Sequence, residues 1–475
     1  MTTGQYDYDF VVIGSGPAGQ KAAIQAAKAG QRVAIIERDN LFGGACVHRG
    51  TIPSKTLREN ALRVKHMRQN AALANFKLDE NTEMVTLIDR LDEVLKSHDA
   101  YLREQIDRNR IERIHARVSF VDNKTLKLTK VGREVRTVRA KNMIIATGSY
   151  PRKPDNIPID HEHIFDSDSI LTMLYLPASL TVLGGGVIAS EYASIFQALG
   201  VKVTMIDRYP SPLGFLDKDM TDTFVSAFEA MGGTWLGNEQ VEKVYWDGVS
   251  QVVTECQSGK VISSQKLLCA AGRVANVDHL ELENTGLALN ERGVIPVNER
   301  LQTAVPNIYA AGDVIGPPSL ASASMEQGRR ASCNSLNIKT GQFSQLIPAG
   351  IYSIPELSSV GLTEMQAIEQ FGEVLVGRAR FAEVARGQIS GNTEGMLKII
   401  ADKNGKKILG VMIVGEGATE VVHIGHMAML GDADVDIFIE STFNFPTLAE
   451  AYRIAALDIT AQRQTADKTN LAGLN

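Results

Sequence analysis

Two stretches of the chain spell the same supersecondary unit, and no other feature limits the fold as strongly. Near the N-terminus, "YDFVVIGSGPAG" is a short apolar run that ends on Gly14, Gly16 and Gly19. "QKAAIQAAKAG" then carries a helical pattern, and "RVAIIERD" a second strand ending at Glu37. Strand, glycine turn, helix and strand make a βαβ dinucleotide site. The glycines let the backbone approach a pyrophosphate at a helix N-terminus, and the acidic side chain about 20 residues on can hold ribose hydroxyls. The unit returns as "SLTVLGGGVIASEYASIFQALGVKVTMIDR", with Gly184, Gly186, Ala189 and a terminal Asp207. Two copies starting at Gly14 and Gly184 imply two dinucleotide-binding (Rossmann-like) domains in an α/β chain.

The bulk properties agree with an enzyme of several domains. A length of 475 residues accommodates about three domains at roughly 150 residues each. The chain is 44% hydrophobic and 22% charged, as in ordinary globular proteins. A net charge of −6 argues against nucleic acid as a partner, because phosphate binding needs clustered Lys and Arg. No apolar run reaches the ~18 residues of a membrane span. "MTTGQYDYDF" lacks the basic and apolar regions of a secretion signal, so a cytoplasmic location is expected. The cysteines at 46, 256, 269 and 333 are too few and too scattered for a disulfide framework or a Cys-rich metal site. His423 and His426 stand at i and i+3 on an expected helix with no third ligand in view, so no metal is expected.

Between the two units, "KNMIIATGS" (141–149) reads as a strand ending in a tight turn. "LLCAAGR" (267–273) and "TAVPNIYAAGDV" (303–314) each read as a strand running into glycine. Residues 51–110 carry apolar residues at helical spacing and predict two amphipathic helices, broken near "FKLDENTEM". From about 346 the pattern changes to short strands such as "GMLKIIAD" and "KILGVMIVG", with helices at 418–431 and 447–463, as in a third, α+β domain. "RQTADKTNLAGLN" is polar and is expected to fray.

With "GSGPAG", Glu37, "GGACVHRGTIPSK", "ATGS", "GGGVIASE", "AAGRVAN", "YAAGDV" and "FNFPTLAEAY" in place, the chain resembles the two-dinucleotide-fold flavoproteins of the pyridine nucleotide-disulfide oxidoreductase family along essentially its full length. The resemblance implies FAD-binding segments at 1–150 and 275–345, an NAD(P)-binding domain at 151–274, a dimerisation domain at 346–465 and a polar tail at 466–475. A homodimer or larger homo-oligomer is the implied assembly. By the same resemblance Gly14, Gly16, Gly19 and Glu37 serve noncovalent FAD, Asp313 holds its ribityl chain, and Lys55 pairs with Glu191 beside the flavin N5. Cys46, Thr51, Thr147, Gly148, Gly272, Arg273, Gly312 and Ala321 are expected at the same cofactors.

Two departures from the disulfide reductases of that family point the same way. Those enzymes carry a second cysteine where Thr51 stands here, and a C-terminal "HxHPTxxE" element whose second histidine works as acid and base. The corresponding residues are Phe443, Asn444, Phe445, Pro446 and Thr447, with Glu450 retained. Phenylalanine cannot take up or release a proton, so both parts of a dithiol relay are missing. The transhydrogenase subfamily shares both changes, and "FDSDSIL", "IYSIPELSSVG" and residues 443–457 resemble its stretches. This implies hydride exchange between NADPH and NAD+ through the flavin, with Cys46 reduced to a wall of the pocket and His48 lining the flavin edge.

The end of the second strand in the nucleotide domain discriminates NAD(H) from NADP(H). A carboxylate accepts bonds from ribose hydroxyls and repels a 2′-phosphate, whereas an arginine can clamp that phosphate. Asp207 and Arg208 are adjacent here, and Ala189 and Ala193 replace glycines in the manner of NADP-type relatives. The signals are mixed, as a site admitting both nucleotides requires. An NAD(P)H oxidase or quinone-type diaphorase, and a flavin-holding regulatory protein without turnover, are the alternatives the sequence leaves open.

Overall fold

The computed structural model describes residues 6–74, 84–130 and 135–472. The first dinucleotide unit is β1 (Tyr8–Ile13), α1 (Pro17–Lys28) and β2 (Val33–Glu37). A short helix α2 (Gly44–His48) follows, then long helices α3 (Thr51–Ala74) and α4 (Met84–Arg108); the expected break between these two lies mostly outside the described residues. Next come β3 (Glu112–His115), β4 (Arg117–Phe120), β5 (Thr125–Thr129) and the 11-residue β6 (Val135–Ile145). β6 belongs to two layers. Its first half pairs antiparallel with β5, and its second half runs parallel to β1. The parallel layer has the order β3-β2-β1-β6, and the late strand Ile308–Ala310 closes its far edge.

β1 is buried on both faces, which is why its sequence reads as a continuous apolar run rather than an alternating one. Val11 and Ile13 pack with Met143 and Ile145 on one face. Phe10 and Val12 pack against Ala22, Ala23 and Ala26 of α1 on the other. Burying each large apolar side chain contributes about 1.5–3 kcal/mol. This packing fixes the direction in which α1 leaves the sheet.

The second unit repeats that architecture. β7 (Ser149–Pro151) and β8 (Ile164–Asp166) precede β9 (Ser179–Leu183), α5 (Val187–Ala198), β10 (Lys202–Ile206), α6 (Lys218–Ala230) and β11 (Thr234–Leu236). An antiparallel meander of β12 (Val241–Trp246), β13 (Val252–Cys256) and β14 (Val261–Ser264) leads into β15 (Lys266–Cys269). The parallel sheet has the order β11-β10-β9-β15-β8, the counterpart of the first. β16 (Arg273–Ala275) pairs with β7 and leads the chain back to β17 (Ile308–Ala310) in the first sheet, followed by α7 (Ala321–Ser335). α7 packs hard on α1: a Cβ on Gly328 would lie 2.0 Å from the Ala18 carbonyl oxygen.

The C-terminal part is an antiparallel sheet. It contains β18 (Ala349–Ile351), β19 (Leu357–Gly361), α8 (Glu364–Phe371), β20 (Val374–Arg380), α9 (Ala385–Ser390), β21 (Met396–Asp402) and β22 (Ile408–Val414). The strand order is β18-β19-β22-β21-β20. Helices α10 (Ala418–Leu430), α11 (Ile437–Glu440) and α12 (Glu450–Ala472) follow. Here the sequence reading needs correction. The last helix, expected at 447–463, runs from Glu450 to Ala472, and neither Gly nor Pro interrupts it before Gly473. Among the described residues, no helix is long and apolar enough to cross a membrane.

Candidate active site

Both glycine turns open at the C-terminal ends of parallel strands, where α/β sheets place their ligands. Gly14 has φ +102°, and a Cβ there would lie 2.3 Å from the Ala146 carbonyl oxygen at the end of β6. A Cβ on Gly19 would meet the Gly14 oxygen at 1.9 Å, so only glycine lets α1 sit this close to the turn. Above Gly16 there is open space, and α1 begins there with no side-chain cap, leaving its first N–H groups to face that space. Glu37 is pinned beneath the turn. Its Oε2 accepts the Ser15 N–H at 3.0 Å and hydroxyl at 2.7 Å, while its Oε1 accepts the N–H groups of Arg38 and Asp39.

The second turn has the same form. Gly184, at φ +117°, passes below the Ala270 carbonyl, Gly186 is open, and α5 also starts without a side-chain cap. Ala189 takes the place of Gly19 and is fully buried. Asp207 Oδ1 accepts the Tyr209 N–H at 2.9 Å, and Oδ2 lies 3.2 Å from where a Cβ on Gly185 would be, so the carboxylate faces the turn. Arg208 faces the other way. It is exposed, with its guanidinium 4.8 Å from the Tyr209 ring centroid and Nη2 donating to the Tyr209 hydroxyl at 2.9 Å.

An ion pair joins α3 to α5 of the second unit. Lys55, in the second turn of α3, donates from Nζ to Glu191 Oε2 at 2.7 Å. Cys46, Thr51 and Asp313 lie within reach of the same place. Burial pushes the Cys46 thiol up, the Asp313 charge adds to this, and a hydrogen bond with Thr51 and the Lys55 charge oppose it. Asp313 Oδ2 accepts the Ser149 hydroxyl at 2.7 Å, and the Gly312 N–H donates to Gln327 Oε1 at 2.9 Å. Asn276 is anchored on the 147–148 turn, its Nδ2 donating to the Thr147 carbonyl and its N–H to that of Gly148. Thr147 Oγ1 is buried without a hydrogen-bond partner, and Ala321 opens α7 with no side-chain cap. A buried hydroxyl with no partner beside an uncapped helix and an open glycine cradle is what a bound polar cofactor would complete.

Other expected residues also make bonds within the protein. Arg273 donates to Ser149 Oγ (2.9 Å), Ser149 O (2.8 Å), Ser167 Oγ (3.2 Å) and Asp168 Oδ1 (3.0 Å), so it ties β16 to the inter-domain connections. Gly272 precedes it at a positive φ. The His48 ring bonds to the Phe42 carbonyl at 2.7 Å. The C-terminal element stands on the surface of the single chain, with Phe445 69% exposed and the Thr447 hydroxyl bonded to the Asn444 carbonyl. His426 faces the Leu346 carbonyl at 3.1 Å, and among the described residues no group of three or more His, Cys, Asp or Glu is arranged to hold a metal. Sequence reasoning missed Tyr352, Ser149, Asn276 and Gln327. Tyr352, Ser149 and Asn276 stand inside quoted motifs, "IYSIPE", "ATGS" and "AAGRVAN", whereas Gln327 carries no signal of its own.

The family profile described as pyridine nucleotide-disulphide oxidoreductase matches residues 8–328. The profile of the dimerisation domain of the same family matches residues 347–456. A soluble pyridine nucleotide transhydrogenase of Mycobacterium bovis is 43% identical over 455 residues, covering 95% of this chain and 97% of the relative. Proteins of the same name from Colwellia psychrerythraea and Enterobacter sp. are each 42% identical, over 95% of this chain and 98% of theirs. Among solved structures, the HOCl-induced flavoprotein disulfide reductase RclA of Escherichia coli, in a Cu(II) complex, superposes with a TM-score of 0.87 at 29% identity, covering 95% of this chain and 99% of that one.

Proposed function

The chain belongs to the pyridine nucleotide-disulphide oxidoreductase family, and from that premise we propose that it is an FAD-dependent transhydrogenase that catalyses NADPH + NAD+ = NADP+ + NADH. The observation that carries the reading is an intact Lys55–Glu191 pair beside a lone thiol, Cys46, whose neighbour is Thr51 and not a second cysteine. The names of relatives at 42–43% identity support it. FAD, when bound, supplies two-electron chemistry that accepts a hydride from one nucleotide and returns it to another.

The protein's part is binding, orientation and exclusion. The free N–H groups at the start of α1 would hold the FAD pyrophosphate, Glu37 its adenosine ribose, and Thr147 and Asp313 the polar chain between its halves. The start of α5 would hold the pyrophosphate of either nicotinamide nucleotide. Asp207, already aimed at the turn, suits the ribose hydroxyls of NAD(H). Arg208 would reach a 2′-phosphate by leaving Tyr209. Lys55 and Glu191 present a paired charge at the junction of the two sites, which orients groups there without adding net charge. A balanced hydride exchange moves no net proton, so the phenylalanine in place of the reductases' histidine costs the reaction nothing. The cofactor is held noncovalently, the dimerisation segment builds a homodimer or larger homo-oligomer, and the enzyme works in the cytoplasm without nucleic acid.

The test is anaerobic mixing of the purified protein with NADPH and an NAD+ analogue of distinct absorbance. Reduction of the analogue is expected. Flavin bleached by NADPH that never reduces the analogue, but is reoxidised by oxygen or a quinone, would replace the reading with an oxidase or diaphorase.

A further inference from the structure

We propose that Tyr352, contributed by the C-terminal domain, is the positioning residue of the Lys55–Glu191 pair; the inference rests on the transhydrogenase reading above. Glu191 has two carboxylate oxygens and both are taken. Oε2 receives Lys55 Nζ at 2.7 Å, and Oε1 receives the Tyr352 N–H at 2.9 Å. The Tyr352 ring also lies beside the cation, its centroid 4.9 Å from Lys55 Nζ, within the range of a cation–π contact. Thus one residue touches both charges, the anion through its backbone and the cation through its ring.

The segment that carries Tyr352 is clamped to both helices of the pair. Ile354 N donates to Ser194 Oγ at 2.9 Å, and Ser194 stands one turn beyond Glu191 on α5. Arg58, one turn beyond Lys55 on α3, donates to the Ser353 carbonyl and to Glu356 Oε1 at 2.6 Å. Glu356 Oε2 in turn accepts the N–H and hydroxyl of Thr419, whose side chain bonds to the Tyr352 hydroxyl. The phenol is neutral at neutral pH, and burial raises it further, so the ring is a neutral face for the cation.

Positioning is needed because a lysine stem has four rotatable bonds and the Lys55 side chain is 25% exposed. An exposed ion pair with only one restraint gains little over water. The ring closes one side of the ammonium, and the N–H fixes the rotamer of the carboxylate that holds it.

Tyr352→Leu, Tyr352→Phe and the two combinations with Lys55→Met are compared as holoproteins, with FAD content and thermal unfolding measured for each. The readout is the rate at which NADPH bleaches the flavin under anaerobic conditions. That rate is read whether or not an NAD+ analogue is later reduced, so its outcome is separate from the fate of the transhydrogenase reading. Leucine keeps the backbone N–H and removes the ring, and is expected to slow bleaching about tenfold. Phenylalanine keeps the ring and is expected to stay within about twofold of the original. In the Lys55→Met background the leucine substitution is expected to add nothing, because a residue acting through Lys55 loses its effect with it. Bleaching unchanged by leucine, phenylalanine as harmful as leucine, or effects that multiply in the double variant would each overturn the proposal.

Discussion

Lys55 Nζ and Glu191 Oε2 meet at 2.7 Å although 136 residues separate them in the chain. The lysine stands on α3, which follows the first dinucleotide unit, and the glutamate on α5, the first helix of the second. Their contact therefore joins α3 to the first helix of the second unit. Glu191 is only 6% exposed, so the ammonium beside it offsets a desolvation cost that an isolated carboxylate would bear.

The first prediction concerns electron count. With Thr51 beside Cys46 and no second cysteine in that segment, the proposed reaction stores its electrons on the flavin alone. Anaerobic titration with dithionite is expected to consume about two electrons per subunit. A plateau near four would reveal a disulfide and remove the basis of the transhydrogenase reading.

Cys46 itself is expected to be dispensable. Burial raises its thiol, which disfavours the thiolate that a relay requires. Cys46→Ser should lower NADPH-to-NAD+-analogue turnover by no more than about tenfold, with FAD content unchanged, whereas loss of an obligatory relay would cost a thousandfold or more, about 4 kcal/mol. A holoprotein variant in the second range would return the thiol to the mechanism.

Asp207 and Arg208 should separate the two nucleotides. Asp207→Ala removes the carboxylate turned toward the glycine turn and is expected to weaken NADH use more than NADPH use. Arg208→Ala is expected to do the reverse. A charge-assisted contact contributes about 1.5–3 kcal/mol, roughly 10- to 150-fold in affinity. Dissociation constants for the four combinations check this, and equal losses for both nucleotides would show that neither side chain reads the ribose.

Stability and its pH dependence should follow Lys398. Its side chain is 1% exposed and meets Asp217 at 2.9 Å, Asp219 at 3.1 Å and Glu364 at 2.7 Å, joining α6 and α8 to β21. Lys398→Met leaves three carboxylates together, and thermal or urea unfolding should show a loss of about 3–5 kcal/mol at neutral pH. Burial alone would lower the Lys398 ammonium, but its bonds to Glu364 and Asp217 and the Asp219 charge raise it. Burial alone would raise the Asp219 carboxyl, but the Lys398 charge and the bonds from Lys398 and Arg378 hold it down. A depressed carboxyl gives stability that is present above about pH 4 and lost in acid; a raised ammonium gives stability that is present below about pH 10 and lost in base. The gap between the original protein and Lys398→Met should thus be widest between those limits and shrink below about pH 4. A gap independent of pH would mean that packing, not charge, sets it.

The sequence alone determined the repeated units, because periodicity and glycine spacing are local. The Gly14, Gly16, Gly19 turn can be read from the chain since a Cβ at Gly19 would strike the Gly14 oxygen five residues away. The acidic ends of β2 and β10 and the absence of a second cysteine near Cys46 were equally legible. Tertiary structure decided which charges are free to meet a ligand. Asp207 and Arg208 are neighbours in sequence, yet the Tyr209 N–H turns one toward the glycine turn while the Tyr209 ring draws the other away. Arg273 reads as a ligand for a nucleotide, and the structure adds bonds to Ser149, Ser167 and Asp168, more than 100 residues distant, that no local pattern announces. The place of Tyr352 against both Lys55 and Glu191 depends on three separate segments arriving together. Such a meeting is written in the packing of α3, α5 and the loop after β18, because no local pattern constrains where a side chain's partner comes from when that partner lies in another domain.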